Sequence, residues 1–355
     1  MNQKLWLGAV MAIAIIPLYF SSNYFDNNKK EIEAENLPQD SIDLQANQLS
    51  NGYPHFKRDE YLDSVIREVI ADFENVGISS QDISINLVNL KHQNFDSIYS
   101  YAEHQSDFPR FPASLVKVFW AVILLEQEAQ GLIDRDQYLD EYLYKMLHRS
   151  DNEAASKVVD LITSTVSGES LSSNSLQGWI DRRESMNHYF ESLGYKDINI
   201  TQKTFPIPYL NANMPEGRDL QMRGDPDMPL RNSLTTSNVA RLLLEIETDQ
   251  VVSPEHSQAL KRRMSRNLHP DTWQHIPFNW IGGFLGESLP TSTRFVSKAG
   301  WTSQVRHDAA IVGGFDQPVH YILVVFSEGE KASENENIFP LISYKVYKKL
   351  LDNPH

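Results

Sequence analysis

The order of elements read along the chain predicts an α+β fold. Three observations carry the prediction. An amphipathic helix and two β-branched stretches open the folded region. Three apolar stretches of strand length stand in succession near its end. The long block between them is dominated by helical periodicity. One antiparallel sheet assembled from both ends of the chain, with a helical subdomain inserted between its halves, satisfies this order.

Tyr61, Leu62, Val65, Ile66, Val69, Ile70 and Phe73 recur at helical spacing, which predicts a helix over Arg58 to Phe73. Asp82 to Leu90 alternates and is β-branched, so it reads as a strand with Ser97 to Tyr101 as its hairpin partner. Phe111 to Glu128 is apolar on nearly every side, the pattern of a buried helix. Tyr138 to Met146 is helical, and Ser150, Asp151 and Asn152 supply cap-type residues for a helix resuming at Glu153. The Ser/Thr/Gly-rich stretch 163–176 reads as a surface loop, and Met186 to Leu193 as a short helix stopped by Gly194. Residues 201–231, with five prolines, read as one long loop of the kind usually kept for function. Helices follow from Thr235 to Ile246 and from Pro254 to about Leu268. The three late strands are Arg294–Lys298, Asp308–Val312 and Tyr321–Phe326, and Leu341 to Leu351 is a closing helix.

Residues 5–20 are an apolar run behind Lys4, interrupted by Pro17, and predict export with the run kept as an inner-membrane anchor or cleaved. The polar residues 21–55 have no apolar period and read as a disordered linker, leaving 56–355 as the folded domain. A net charge of −15 argues against binding nucleic acid or anionic membrane surfaces. The absence of cysteine excludes disulfides, thiolate nucleophiles and Cys-ligated zinc. The eleven histidines show no metal-ligand spacing, so neither a metal nor a cofactor is expected. The expectation is a monomeric protein, periplasmic or otherwise extracytoplasmic.

Ser114 and Lys117 stand three residues apart at the head of the buried helix, so they share a face. A hydroxyl beside an amine whose pKa burial depresses is a candidate activated nucleophile. Two further motifs follow: Ser150-Asp151-Asn152, and Lys298-Ala299-Gly300 at the end of a strand. Each alone also reads as a cap, a turn or a strand-end lysine.

In this order and spacing the three motifs resemble the class A β-lactamases and related penicillin-recognising serine hydrolases, over roughly residues 56–352. The resemblance extends to Arg306-x-Asp308 and to Thr201, Pro208, Leu210 and Asn211 in the long loop. It implies acyl transfer through Ser114, with Lys117 as base or as orienting group. Ser150, polarised by Lys298, would relay a proton to the leaving nitrogen. The backbone N–H groups of Ser114 and Trp301 would form the oxyanion hole. Asn152, Gly300 and Arg306 would bind substrate, Arg306 through a carboxylate. The implied partner is a β-lactam or a peptidoglycan-type substrate.

Three departures qualify the resemblance, one of them the bulky Trp301 where the family often has a small residue. The family carries a glutamate immediately before the loop proline to activate the deacylating water. Here that position is Ile207, although Asn211, matching the residue that helps hold the water, is kept. Glu216 and Asp219 are the other loop acids, with no sequence argument bringing either to the site. Ala299 replaces the usual Thr or Ser, removing a hydroxyl that would bind a carboxylate. The expectation is intact acylation and slow deacylation. A D-alanyl-D-alanine peptidase, and a catalytically weak cell-wall-binding protein of the same fold, are the alternatives.

Overall fold

The computed structural model describes residues 55–91, 98–134 and 137–353. The apolar run 5–20 and the linker up to residue 54 lie outside the described residues. Among the described residues no helix is long and apolar enough to cross a membrane.

Six strands form one sheet: β1 (His55–Arg58), β2 (Ile83–Asn89), β3 (Ile98–His104), β4 (Phe295–Thr302), β5 (Val305–Gly313) and β6 (His320–Glu328). Their spatial order is β1-β3-β2-β6-β5-β4, so the two halves of the chain meet where β2 pairs antiparallel with β6. The alternation of Ile322, Val324 and Phe326 on one face of β6 with Tyr321, Leu323 and Val325 on the other lets it serve two cores at once. One core is closed by α1 (Glu60–Asn75) and by the C-terminal helix (Ile338–Asp352), whose Phe73 and Phe339 rings meet edge-on at 6.2 Å. The other packs α2 (Val116–Ala129), α3 (Gln137–His148), α4 (Asn152–Thr163), α5 (Ser173–Ser192), α7 (Thr236–Glu247) and α8 (Pro254–Met264) against the sheet.

The α+β expectation with its inserted helical subdomain is the observed architecture, with three corrections. The sheet is not wholly antiparallel, because β1 pairs parallel with β3. Four residues with one large apolar side chain, Phe56, are too short to show a strand period. The short helix expected at 186–193 begins at Ser173. Its buried stripe is Trp179, Arg183, Met186 and Phe190, and the cation within it interrupts the apolar pattern. The loop 201–231 contains a 3-10 turn at Pro208–Leu210 and a helix, α6 (Gly217–Arg223).

Arg183 and the loop are held by one buried ion cluster. Lys203 Nζ donates to Asp160 at 2.7 Å and to Ser167 Oγ at 2.8 Å. Arg183 Nη2 lies 3.4 Å from Asp219 and 3.5 Å from Asp160, and its Nε donates to Thr165 Oγ1 at 2.6 Å. The cluster joins α4, α5 and the loop, through Lys203 near its start and Asp219 in α6, and unpaired charges this deep would be costly.

Candidate active site

Ser114 sits in a 3-10 turn, Ala113–Leu115, that runs directly into α2. Ala113, with φ 47°, occupies the left-handed region, a strained conformation for a residue with a Cβ. Fixed partners hold the segment that leads to this turn. Arg110 donates to Ser84 Oγ at 2.8 Å and to the Gln81 carbonyl at 2.6 Å, and pairs with Glu328. His307 Nδ1 accepts the Ser327 N–H at 3.0 Å, which assigns the proton to Nε2; that atom donates to the Phe111 carbonyl at 2.9 Å. Burial pulls the His307 pKa down to about 4, so the ring is a neutral strut.

Two buried lysines converge on Ser150. Lys117 Nζ donates to the Ser150 carbonyl at 2.6 Å and to Asn152 Oδ1 at 2.7 Å. Lys298 Nζ donates to Ser150 Oγ at 2.8 Å and to the Ala299 carbonyl at 2.7 Å. Both lysines are 0% exposed. Burial pulls the Lys117 pKa down to about 7, against the opposing pull of Asp151. Burial also lowers Lys298 well below the usual amine range, with repulsion from Lys117 and Arg266 adding to it. A neutral Lys117 has two N–H groups and one lone pair. Ser150 and Asn152 take the two N–H groups, so the lone pair stays outside those two bonds. Ser150 itself has φ 59°, a second strained residue in the same constellation.

Backbone donors come from two directions. The Ser114 N–H lies at a helix start, where amides have no intrahelical partner and the dipole favours an anion. Strand β4 lies at the sheet edge, and its Phe295 carbonyl points outward to accept the Arg266 N–H at 2.9 Å. Backbone direction alternates with period two, so the Trp301 N–H also points to the outer edge, away from β5. The neighbouring Gly300 presses on the turn that carries Ser114: a Cβ there would stand 2.8 Å from the Pro112 carbonyl and 3.2 Å from Ala113 Cβ. Gly300→Ala should therefore keep the fold yet slow acylation of Ser114 about a hundredfold, the cost of misplacing a reacting atom by about 1 Å. Rates of covalent labelling on the two proteins check this, and equal rates would show that the contact does not set the site.

Of the residues singled out in the sequence, Lys117, Ser150, Asn152 and Lys298 are joined by hydrogen bonds, and Gly300 packs against Pro112, Ala113 and Leu115, which flank Ser114. Arg306 is not available as expected. Its Nε and Nη2 donate to the Ser333 carbonyl at 3.0 and 2.7 Å, and its Nη1 to the Gly283 carbonyl at 2.9 Å. Side-chain alternation on β5 turns it toward α9 (Glu330–Glu334), where the Trp301 indole also donates to Ser333. Asn211 is exposed, in the left-handed region at the end of the 3-10 turn. Ile207 is buried in a two-residue bridge with Ala212. Trp280 was not legible beforehand: its indole donates to the Arg149 carbonyl at 3.3 Å, and its ring lies 5.4 Å from Lys298 Nζ. It comes from an irregular stretch with no periodic signal.

Residues 62–350 match the β-lactamase enzyme family. The chain belongs to that family. Solved structures show the same fold at low identity. A β-lactamase from Sphaerobacter thermophilus is 16% identical, covers 80% of this chain and 96% of its own, and superposes with a TM-score of 0.55. A class A β-lactamase from Bacteroides cellulosilyticus is 17% identical, with coverage of 82% and 99% and a TM-score of 0.55. The protein PBP-A is 15% identical, with coverage of 85% and 100% and a TM-score of 0.55. No curated protein matches the sequence. In this member of the β-lactamase family Ser150 stands between two buried lysines, its carbonyl on Lys117 and its hydroxyl on Lys298.

Proposed function

We propose that this protein is an exported serine hydrolase that works through an acyl-enzyme on Ser114. The observation that carries the reading is the Lys117–Ser150–Lys298 constellation at the foot of the Ser114 turn. In the forward step Lys117 takes the Ser114 proton as Oγ attacks the acyl carbon. The Ser114 and Trp301 N–H groups receive the oxyanion, and Ser150 passes a proton to the departing atom. Asn152 orients the substrate amide and holds Lys117 in register. Export and membrane attachment through residues 5–20, and action as a monomer outside the cytoplasm, belong to the same reading.

Release of the acyl group is the slow step in this proposal. Ile207 carries no proton to exchange. Asp219 is bound into the ion cluster with Arg183, and Glu216 is an exposed residue at the start of α6. The Tyr209 phenol, pushed up to about 12 by burial, keeps its proton at neutral pH. A PBP-A mutant solved as an acyl-enzyme complex with penicillin G shares the fold at 15% identity. By this reading the protein resembles a penicillin-binding peptidase more than a fast β-lactamase.

The test is intact-mass spectrometry after exposure to penicillin G. One adduct is expected on the parent protein, lasting minutes or longer, and none on Ser114→Ala. An adduct that survives in Ser114→Ala, or rapid turnover of a chromogenic cephalosporin without a burst, would sink the proposal.

A further inference from the structure

The β5 guanidinium that the resemblance offers to a substrate carboxylate, that of Arg306, is already committed. All three Arg306 nitrogens donate to backbone carbonyls, and the guanidinium is 3% exposed. On its solvent side stands Glu336, 78% exposed and 3.9 Å from Nη2, which would repel an arriving anion. Lys298 is enclosed, with its amine on Ser150 and Ala299 and the Trp280 ring above it. Position 299 offers a methyl group. The surface presented beyond Ser150 is the half-buried Trp280 indole.

We infer that the site does not depend on a carboxylate next to the cleaved bond: esters, thioesters or amides whose leaving group ends in an uncharged group react as well as their carboxylate counterparts. This rests on the acyl-transfer reading and defines its substrate class. A carboxylate entering here would lose hydration without gaining the Arg306 ion pair, whereas a neutral group loses little against an aromatic wall. Arg149, exposed next to Ser150, keeps its guanidinium over the Tyr144 ring at 5.5 Å and is the one competing receptor the test must address.

Two thioesters separate the cases: N-phenylacetylglycyl mercaptoacetate and its mercaptoacetamide counterpart, which differ only in carboxylate against carboxamide. Ser114 Oγ bonds to the acyl carbon, the C–S bond breaks, and the serine proton ends on the sulfur. Thiol release is read with a thiol reagent, free of background because the chain has no cysteine. The carboxamide should react within about threefold of the acid or faster, since a site built to hydrogen-bond a group rejects its absence by far more. A preference for the acid beyond about threefold overturns the inference while leaving acyl transfer intact. So does a selective loss of the acid's rate in Arg149→Ala; unchanged or parallel rates support it. If neither thioester acylates Ser114, the acyl-transfer reading itself fails and this inference with it.

Discussion

Acylation of Ser114 should accelerate as pH rises through about 7 and level off above it. The sign follows from Lys117. Burial pulls its pKa down to about 7. Below that value the folded protein carries an ammonium, which has three donors and no acceptor. Above it the amine has a lone pair while still donating to Ser150 and Asn152. Removing that acceptor should cost about 10²–10⁴-fold in rate, the usual worth of a positioned general base. Lys117→Met keeps the length of the chain without the amine. The check is the second-order labelling rate of both proteins from pH 5 to 9. A flat or falling profile in the parent, or a Lys117→Met rate above a tenth of the parent's, would remove Lys117 as the base.

Arg183→Met should destabilise the fold by about 3–5 kcal/mol, the range for breaking a buried ion pair and stranding its partners. Arg183 is 0% exposed, and its loss leaves Asp160 and Asp219 with Lys203 as their one remaining cation in the cluster. The damage should concentrate in the loop 201–231, which the cluster ties to α4 and α5. Urea unfolding measures the global loss, and limited proteolysis locates it. Arg183→Met combined with Asp219→Leu removes a charge of each sign and should recover part of the lost stability. A loss under about 1 kcal/mol for Arg183→Met would mean the cluster is structurally idle.

The motifs were readable in sequence where spacing is local. Ser114 and Lys117 stand three residues apart, across the junction of the 3-10 turn and α2. Ser150 and Lys298 are separated by 148 positions, and their order relative to Ser114 carried the association through resemblance. What eluded the sequence has a common character. Trp280 acts through partners supplied by distant segments, Arg149 and Lys298, and no periodic pattern marks a residue whose role is to fill or brace. Arg306 shows the opposite failure. Its position in the chain suggested a carboxylate ligand, but its direction was set by which carbonyls α9 and Gly283 present to it.

The apolar patterning by itself determined the α+β class, the buried helix behind Ser114 and the antiparallel trio β4–β6. Each of these is enforced by burial of a repeating face, a property local sequence encodes directly. Only the tertiary structure decided the parallel edge strand β1, the full length of α5 and the committed state of Arg306. These depend on long-range polar partners. A buried charge is tolerated where another segment neutralises it, and that neighbour is known only once the chain has folded.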